Sequence, residues 1–312
     1  MNYLINYFDH DSITPLNPVI FELGPLTLRW YGLLIGIGMF LAVLAAIKFG
    51  KKQGFTAEFV TDVVIFGIPL SIIGARLYFV LFNLDYFLRH PARIVTGFGA
   101  GLAIHGGIIV AGLFSWWYLK KRKVPLLPFL DIVSVGFFIG QIIGRFGNFF
   151  NQEAYGRVIA GANLDAQRSF LTNLFIPRFI VDGMFINGDY HHPTFLYEAL
   201  WNLVGLLIAV FVLRKLKQVL VGEIAAFYAL WYSFGRFFIE ALRTDSLMIG
   251  PLMTAQVISI ATIIAVGGFV IYRRKTKKFI VPFCEFNLTD FQESERKKNN
   301  YQKNNTKTKK RG

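Results

Sequence analysis

The chain has 312 residues, 54% of them hydrophobic, with a mean hydropathy of +0.48 and a formal charge of +14. A soluble domain of this length does not average so apolar, because helices that are hydrophobic all round belong to a membrane or to a very large core. A single cysteine, Cys284, rules out a disulfide framework and a thiolate metal centre.

The N-terminus has no positive region ahead of its first apolar run, so no cleaved signal peptide is expected. Runs long enough to cross a bilayer, roughly 20 residues each, follow at about 29–48, 60–82, 101–119, 129–149, 194–213, 222–242 and 253–272. Basic clusters come after every second run: Lys48, Lys51 and Lys52; Lys120 to Lys123; Arg214, Lys215 and Lys217; Arg273 to Lys275. The intervening loops are thinly basic. By the positive-inside rule the N-terminus is outside and the C-terminus cytoplasmic. The fold class predicted is an all-α polytopic membrane protein, with about seven transmembrane helices and a small extracytoplasmic head.

Two stretches interrupt this pattern. Residues 84–99, broken by Pro91 and by Gly97 and Gly99, read as a short interfacial arm. Residues 150–192 form the head: Pro177, Asp182-Gly183 and Asn187-Gly188 signal turns, and alternating apolar residues signal strands. Residues 1–280 are then one membrane-embedded domain. Residues 281–312 are a basic tail that should lack structure. Residues 273–312 carry thirteen Lys and Arg against four acids, which points to anionic membrane lipids rather than to nucleic acid.

With that orientation, the polar groups of the spans collect at their outer ends. Arg29 and Tyr31 begin the first span, Arg76 lies high in the second, and His105 opens the third beside Gly106 and Gly107. Arg145 and Asn148 close the fourth, three residues apart on one helical face, and Asn151, Glu153 and Gly156 follow. His192, Tyr197 and Glu198 start the fifth, and Arg236, Glu240 and Arg243 close the sixth on one face. An arginine at membrane depth costs roughly 3 kcal/mol on insertion scales, so such groups face a protein interior or a wet cavity.

Blander roles compete with function at each position. Arg236 and Glu240 suit an i, i+4 ion pair, Arg76 and Arg243 suit snorkelling to headgroups, and Asn148 and Asn151 suit helix glue or a cap. Trp30, Trp116, Trp117, Trp201 and Trp231 read as interface or lipid contacts. Converging arginines nevertheless favour a phosphate ligand, since guanidinium forks match phosphate oxygens two at a time. Without a His-Glu-x-x-His or cysteine cluster, no metal and no cofactor are implied.

At these residues the chain resembles the prolipoprotein diacylglyceryl transferase family, over roughly residues 17 to 272. The resemblance rests on RWYGL around Tyr31, the turn at His105 to Gly107, GRFGNFFNQEAYG (Gly144 to Gly156), HPTFLYE (His192 to Glu198) and GRFFIEALR (Gly235 to Arg243). It implies transfer of the diacylglyceryl group of phosphatidylglycerol to the lipobox cysteine thiol of preprolipoprotein signal peptides, with glycerol 1-phosphate released. It also implies catalytic roles for Tyr31, His105, Arg145 and Arg236. Substrate binding falls to Arg145, Asn148, Asn151, Glu153, Gly156, Glu240 and Arg243. The location implied is the bacterial cell membrane, with the site on the extracytoplasmic side. Another phospholipid-using transferase, or a lipid-phosphate transporter, fits the arginines as well, but a transporter needs polar residues continuing inward, where only Asp62 and Asp131 lie.

Overall fold

The computed structural model describes residues 10–24, 26–96, 101–277 and 280–309. Gly97 and Gly99 of the expected arm lie outside them. Helices dominate, with three two-stranded antiparallel hairpins among the described residues. Among the described residues, five helices are long and apolar enough to cross a membrane: Trp30–Lys52 (α1), Ala57–Phe82 (α2), Leu126–Phe150 (α6), the run Thr194–Lys215 and Thr254–Thr276 (α11). Thr194–Lys215 comprises Thr194–Leu207 (α9) and shorter helical turns to Lys215. Two of the seven expected spans are not among these five. Their helices are Ile104–Arg122 (α5), which ends in Lys120, Lys121 and Arg122, and Glu223–Glu240 (α10), which carries Glu223, Arg236 and Glu240 within 18 residues.

The chain divides into two compact units, Met1–Ala42 with Ser134–Ile280, and Val43–Val133 with Val281–Gly312. In the first unit, hairpin β1 (Val19–Leu23) and β2 (Leu26–Arg29) leads directly into α1. Trp30 stacks on Phe150 of α6 at 4.7 Å. The segment after α6 folds as Leu164–Asn173 (α7), Arg178–Gly183 (α8) and the hairpin of β3 (Phe185–Ile186) with β4 (Asp189–Tyr190). Asn163 caps α7 by accepting from the Ala166 amide. These pieces enclose a core of Phe149, Ile159, Leu171, Val181, Tyr190 and Phe195. Burial pushes the Tyr190 phenol up to about 12. Helices α9, α10 and α11 pack side by side, with hairpin β5 (Met248–Ile249) and β6 (Leu252–Met253) joining the last two.

In the second unit α2, N-capped by Thr56, packs along α5. Short helices Leu84–Arg89 (α3) and Arg93–Thr96 (α4) form the arm between them. Arg76, only 3% exposed, ties that arm down. Its Nη2 donates to the Arg93 carbonyl at 2.6 Å, Nε to Ile94 at 3.1 Å and Nη1 to Gly101 at 3.0 Å. Snorkelling does not describe it.

Where the sequence predicts a tail without structure, residues 288–309 form a helix, α12. The reason lies just before it. Phe283, Phe286 and Leu288 are buried, the Leu288 amide donates to the Gln53 carbonyl at 2.8 Å, and Gln292 Nε2 donates to the Arg122 carbonyl at 3.0 Å. The apolar stretch from Ile280 to Phe291, with Phe283, Phe286 and Leu288 buried, docks its start.

Candidate active site

Arg145 is held on α6 one residue past Gly144, in the last two turns of a helix whose apolar positions keep it within the bundle. Its Nη2 donates to Glu198 Oε1 on α9. The other oxygen of Glu198 accepts from Arg236 Nη1 on α10 at 3.0 Å. Arg236 Nη2 in turn meets Glu240 Oε2, one helical turn on, at 2.5 Å. Arg243 lies 4.0 Å from that same oxygen and pairs with Asp245 through Nε at 2.9 Å and Nη2 at 2.8 Å. Three arginines and three carboxylates thus alternate along one chain of contacts drawn from three helices and the turn that follows α10.

The exposures divide this chain in two. The side chains of Glu198 and Glu240 are 2% and 3% exposed, whereas Arg145, Arg236 and Arg243 retain 18%, 15% and 13%. Glu198 and Glu240 are therefore the buried members, the arginines are partly exposed, and Asp245 at the end of the chain is half exposed. Burying a charge unpaired costs several kcal/mol, about 3–5 kcal/mol when one partner of a buried pair is removed, so each carboxylate fixes the arginines it touches. All three arginines keep part of their side chains exposed while paired with these carboxylates.

Around this chain sit the other expected residues of the first unit. Asn148 Nδ2 donates to Glu153 Oε1 at 2.9 Å, and the Glu153 amide donates back to the Asn148 carbonyl at 3.0 Å. Asn148 thus pins Glu153 to the last turn of α6 through both its side chain and its carbonyl. Asn151 Nδ2 stands 3.5 Å from the same Glu153 oxygen, and its buried Oδ1 has no hydrogen-bond partner. The ring of Tyr31 lies against Gly147 of α6, between Arg145 and Asn148 in sequence, and Tyr31 is 37% exposed.

Gly156 belongs to a backbone junction rather than to a loop tip. Its amide donates to the His192 carbonyl at 2.9 Å, it bridges Arg243, and the Arg157 amide donates to Leu242 at 2.8 Å. A Cβ there would lie 2.7 Å from that of His192, so only glycine lets the two strands meet. The junction ties Arg243 and His192 together. His192 Nδ1 contacts the Tyr197 hydroxyl at 3.2 Å, and burial, then the neighbouring His191, lowers its pKa.

His105 and Arg76 belong to the second unit. His105 opens α5, its ring 6.0 Å from that of Tyr78, and the Ala103 amide donates to the Ala75 carbonyl at 3.0 Å to hold the turn before it. Sequence counts Glu198 among the outer-end polar groups but gives it no role. It sits in the HPTFLYE stretch as one more polar residue, and its hold on two arginines spans 53 and 38 residues of chain. An acid in an apolar run was the available signal, since such a group needs cationic partners. Among the described residues, no group of three or more His, Cys, Asp or Glu could hold a metal ion.

The family profile described as prolipoprotein diacylglyceryl transferase matches residues 18–272. The phosphatidylglycerol–prolipoprotein diacylglyceryl transferase of Bacillus licheniformis is 43% identical over 268 residues, covering 85% of this chain and 95% of the relative. The proteins of the same name from Bacillus velezensis and Bacillus cytotoxicus are 43% identical over 267 and 265 residues, with the same coverages. This chain belongs to the prolipoprotein diacylglyceryl transferase family.

Proposed function

We propose that this protein transfers the diacylglyceryl group of phosphatidylglycerol to the lipobox cysteine thiol of preprolipoproteins and releases glycerol 1-phosphate. The names of the relatives support the reaction. The observation that carries it to particular residues is the pairing of partly exposed arginines with buried Glu198 and Glu240.

The chemistry is displacement at carbon. Sulfur attacks the glyceryl carbon that bears the phosphate, the S–C bond forms and the C–O bond breaks. The leaving oxygen takes negative charge, so donors already aimed at the phosphate lower the barrier. Arg145 and Arg236 fill that role from facing helices, with Arg243 and Asn148 beside them. Glu153 and Asn151 line the same region, Gly156 keeps Arg243 in place, and Tyr31 stands at its edge. His105 takes the thiol proton, a task that suits an imidazole near neutral pH. The basic clusters support seven crossings with an outside N-terminus and a cytoplasmic C-terminus. The site would then face the extracytoplasmic side of the bacterial cell membrane, with segment 150–192 as its head.

The test is incubation of the purified protein with phosphatidylglycerol and a lipobox peptide, read by mass spectrometry. A thioether-linked diacylglyceryl on the cysteine is expected. Unmodified peptide, or modification that proceeds equally with phosphatidylcholine, would overturn the reading.

A further inference from the structure

Helices α9 and α10 carry the same short pattern, Trp201 four residues before Gly205 and Trp231 four residues before Gly235. The two patterns face each other. Trp201 Nε1 donates to the Trp231 carbonyl at 2.8 Å, and Trp231 Nε1 donates to the Trp201 carbonyl at 2.8 Å. The indoles stack 4.3 Å apart at an interplanar angle of 15°. Each ring covers the glycine of the other helix: a Cβ on Gly205 would stand 2.5 Å from Trp231 Nε1, and one on Gly235 would strike Trp201. Reading these tryptophans as lipid contacts is thereby corrected.

The closure is reciprocal, so it fixes more than proximity. An indole N–H in an apolar bundle has to find an acceptor, and a helix carbonyl keeps a second lone pair for one. With two such bonds running in opposite directions, sliding α9 along α10 breaks both. The register they set is that of the charged layer. Glu198 lies one turn before Trp201, Arg236 directly follows Gly235, and the two meet at 3.0 Å.

We propose that Trp201 and Trp231 are positioning residues for the reaction: their reciprocal bonds set the register that holds Glu198 against Arg236, and through Glu198 they aim Arg145. Neither touches the substrate. A shift of 1 Å at reacting groups can cost on the order of a hundredfold in rate, so a clasp one turn below the layer governs turnover beyond its contribution to stability. The proposal rests on the transferase reading.

The experiment is a double-mutant cycle in reconstituted full-length enzyme. Trp201→Phe and Trp231→Phe each keep a stacked ring and remove one N–H. Each is expected to lower kcat about tenfold with thermal stability close to wild type, and by less than about twofold once Glu198→Gln is present, because coupled residues are not additive. An equal fall in both backgrounds, or none in either, overturns the proposal. A second measurement does not need turnover: the preference of the protein for binding phosphatidylglycerol over phosphatidylcholine. Trp201→Phe should erode it as Glu198→Gln does, and an unchanged preference counts against the clasp. Wild-type enzyme run in parallel separates the two readings, since failure of the wild type to lipidate the peptide would sink the transferase assignment itself.

Discussion

Two of the regions that carry arginine in apolar helices use it in opposite ways. Arg76 on α2 is 3% exposed and spends Nε and both Nη groups on backbone carbonyls of the arm that precedes α5. Arg145 and Arg236 donate to buried carboxylates and keep 18% and 15% of their side chains exposed. In sequence all three look alike, a single arginine among Ile, Gly and Phe. The acceptor tells them apart. A carbonyl acceptor makes arginine a strut, while a buried carboxylate holds in place an arginine whose side chain stays partly exposed.

The largest effect expected from this contrast belongs to the open pair. Arg145→Lys and Arg236→Lys keep the charge but replace a planar fork with an ammonium. Losing a charge-assisted contact to a leaving group costs about 3 kcal/mol, on the order of a hundredfold in rate. Steady-state transfer assays on folded variants check this, and near-normal rates would remove the clamp from the mechanism.

His105 sharpens the comparison from the second unit. If it takes the thiol proton, His105→Gln should lower the rate about tenfold or more near neutral pH. Part of that loss should return as rising pH ionises the thiol, whose ordinary pKa is about 8.5. If it only anchors substrate, the loss should be uniform. Rates across a pH series with wild type alongside distinguish the two, and a constant ratio from acid to alkaline conditions decides against proton transfer.

Much of the fold was legible because the bilayer imposes it: apolar runs of the right length, punctuated by basic clusters, mark helices such as α1, α2 and α6. The local registers were legible too. Arg145 with Asn148 and Arg236 with Glu240 fall on shared faces by spacing alone. What periodicity does not carry is partnership across helices. Glu198 gains its meaning from Arg145 and Arg236, Arg76 from carbonyls in an irregular arm, and Trp201 from a carbonyl opposite. The tail is a milder case, since its first part, Ile280 to Phe291, is largely apolar and marks where it docks, ahead of the polar stretch that follows.

Arg76→Met tests the strut directly. Three carbonyls lose charge-assisted donors, each bond worth about 1.5–3 kcal/mol, so thermal stability should fall clearly. The folded remainder should keep its KM for phosphatidylglycerol within about twofold, because an arginine spent on carbonyls gives uniform support rather than binding. A KM that rises as steeply as in Arg236→Lys would place Arg76 with the ligand-facing arginines and erase the distinction.

The smallest effects belong to the tail, and its two halves should separate. Residues 296–311 carry eight Lys and Arg and no acid, whereas the buried contacts lie between Phe283 and Gln292. A chain ending after Glu295 keeps those contacts and should match full-length enzyme in both stability and rate. A chain ending after Ile280 loses three buried apolar side chains, each worth about 1.5–3 kcal/mol when fully buried, along with the bonds to Gln53 and Arg122. It should melt earlier yet turn over normally below its melting point, since none of those groups belongs to the charged layer. Cys284→Ser, an exposed position, should change neither quantity. Loss of transfer in the shorter chain at a temperature where it remains folded would mean that the docked segment contributes to catalysis.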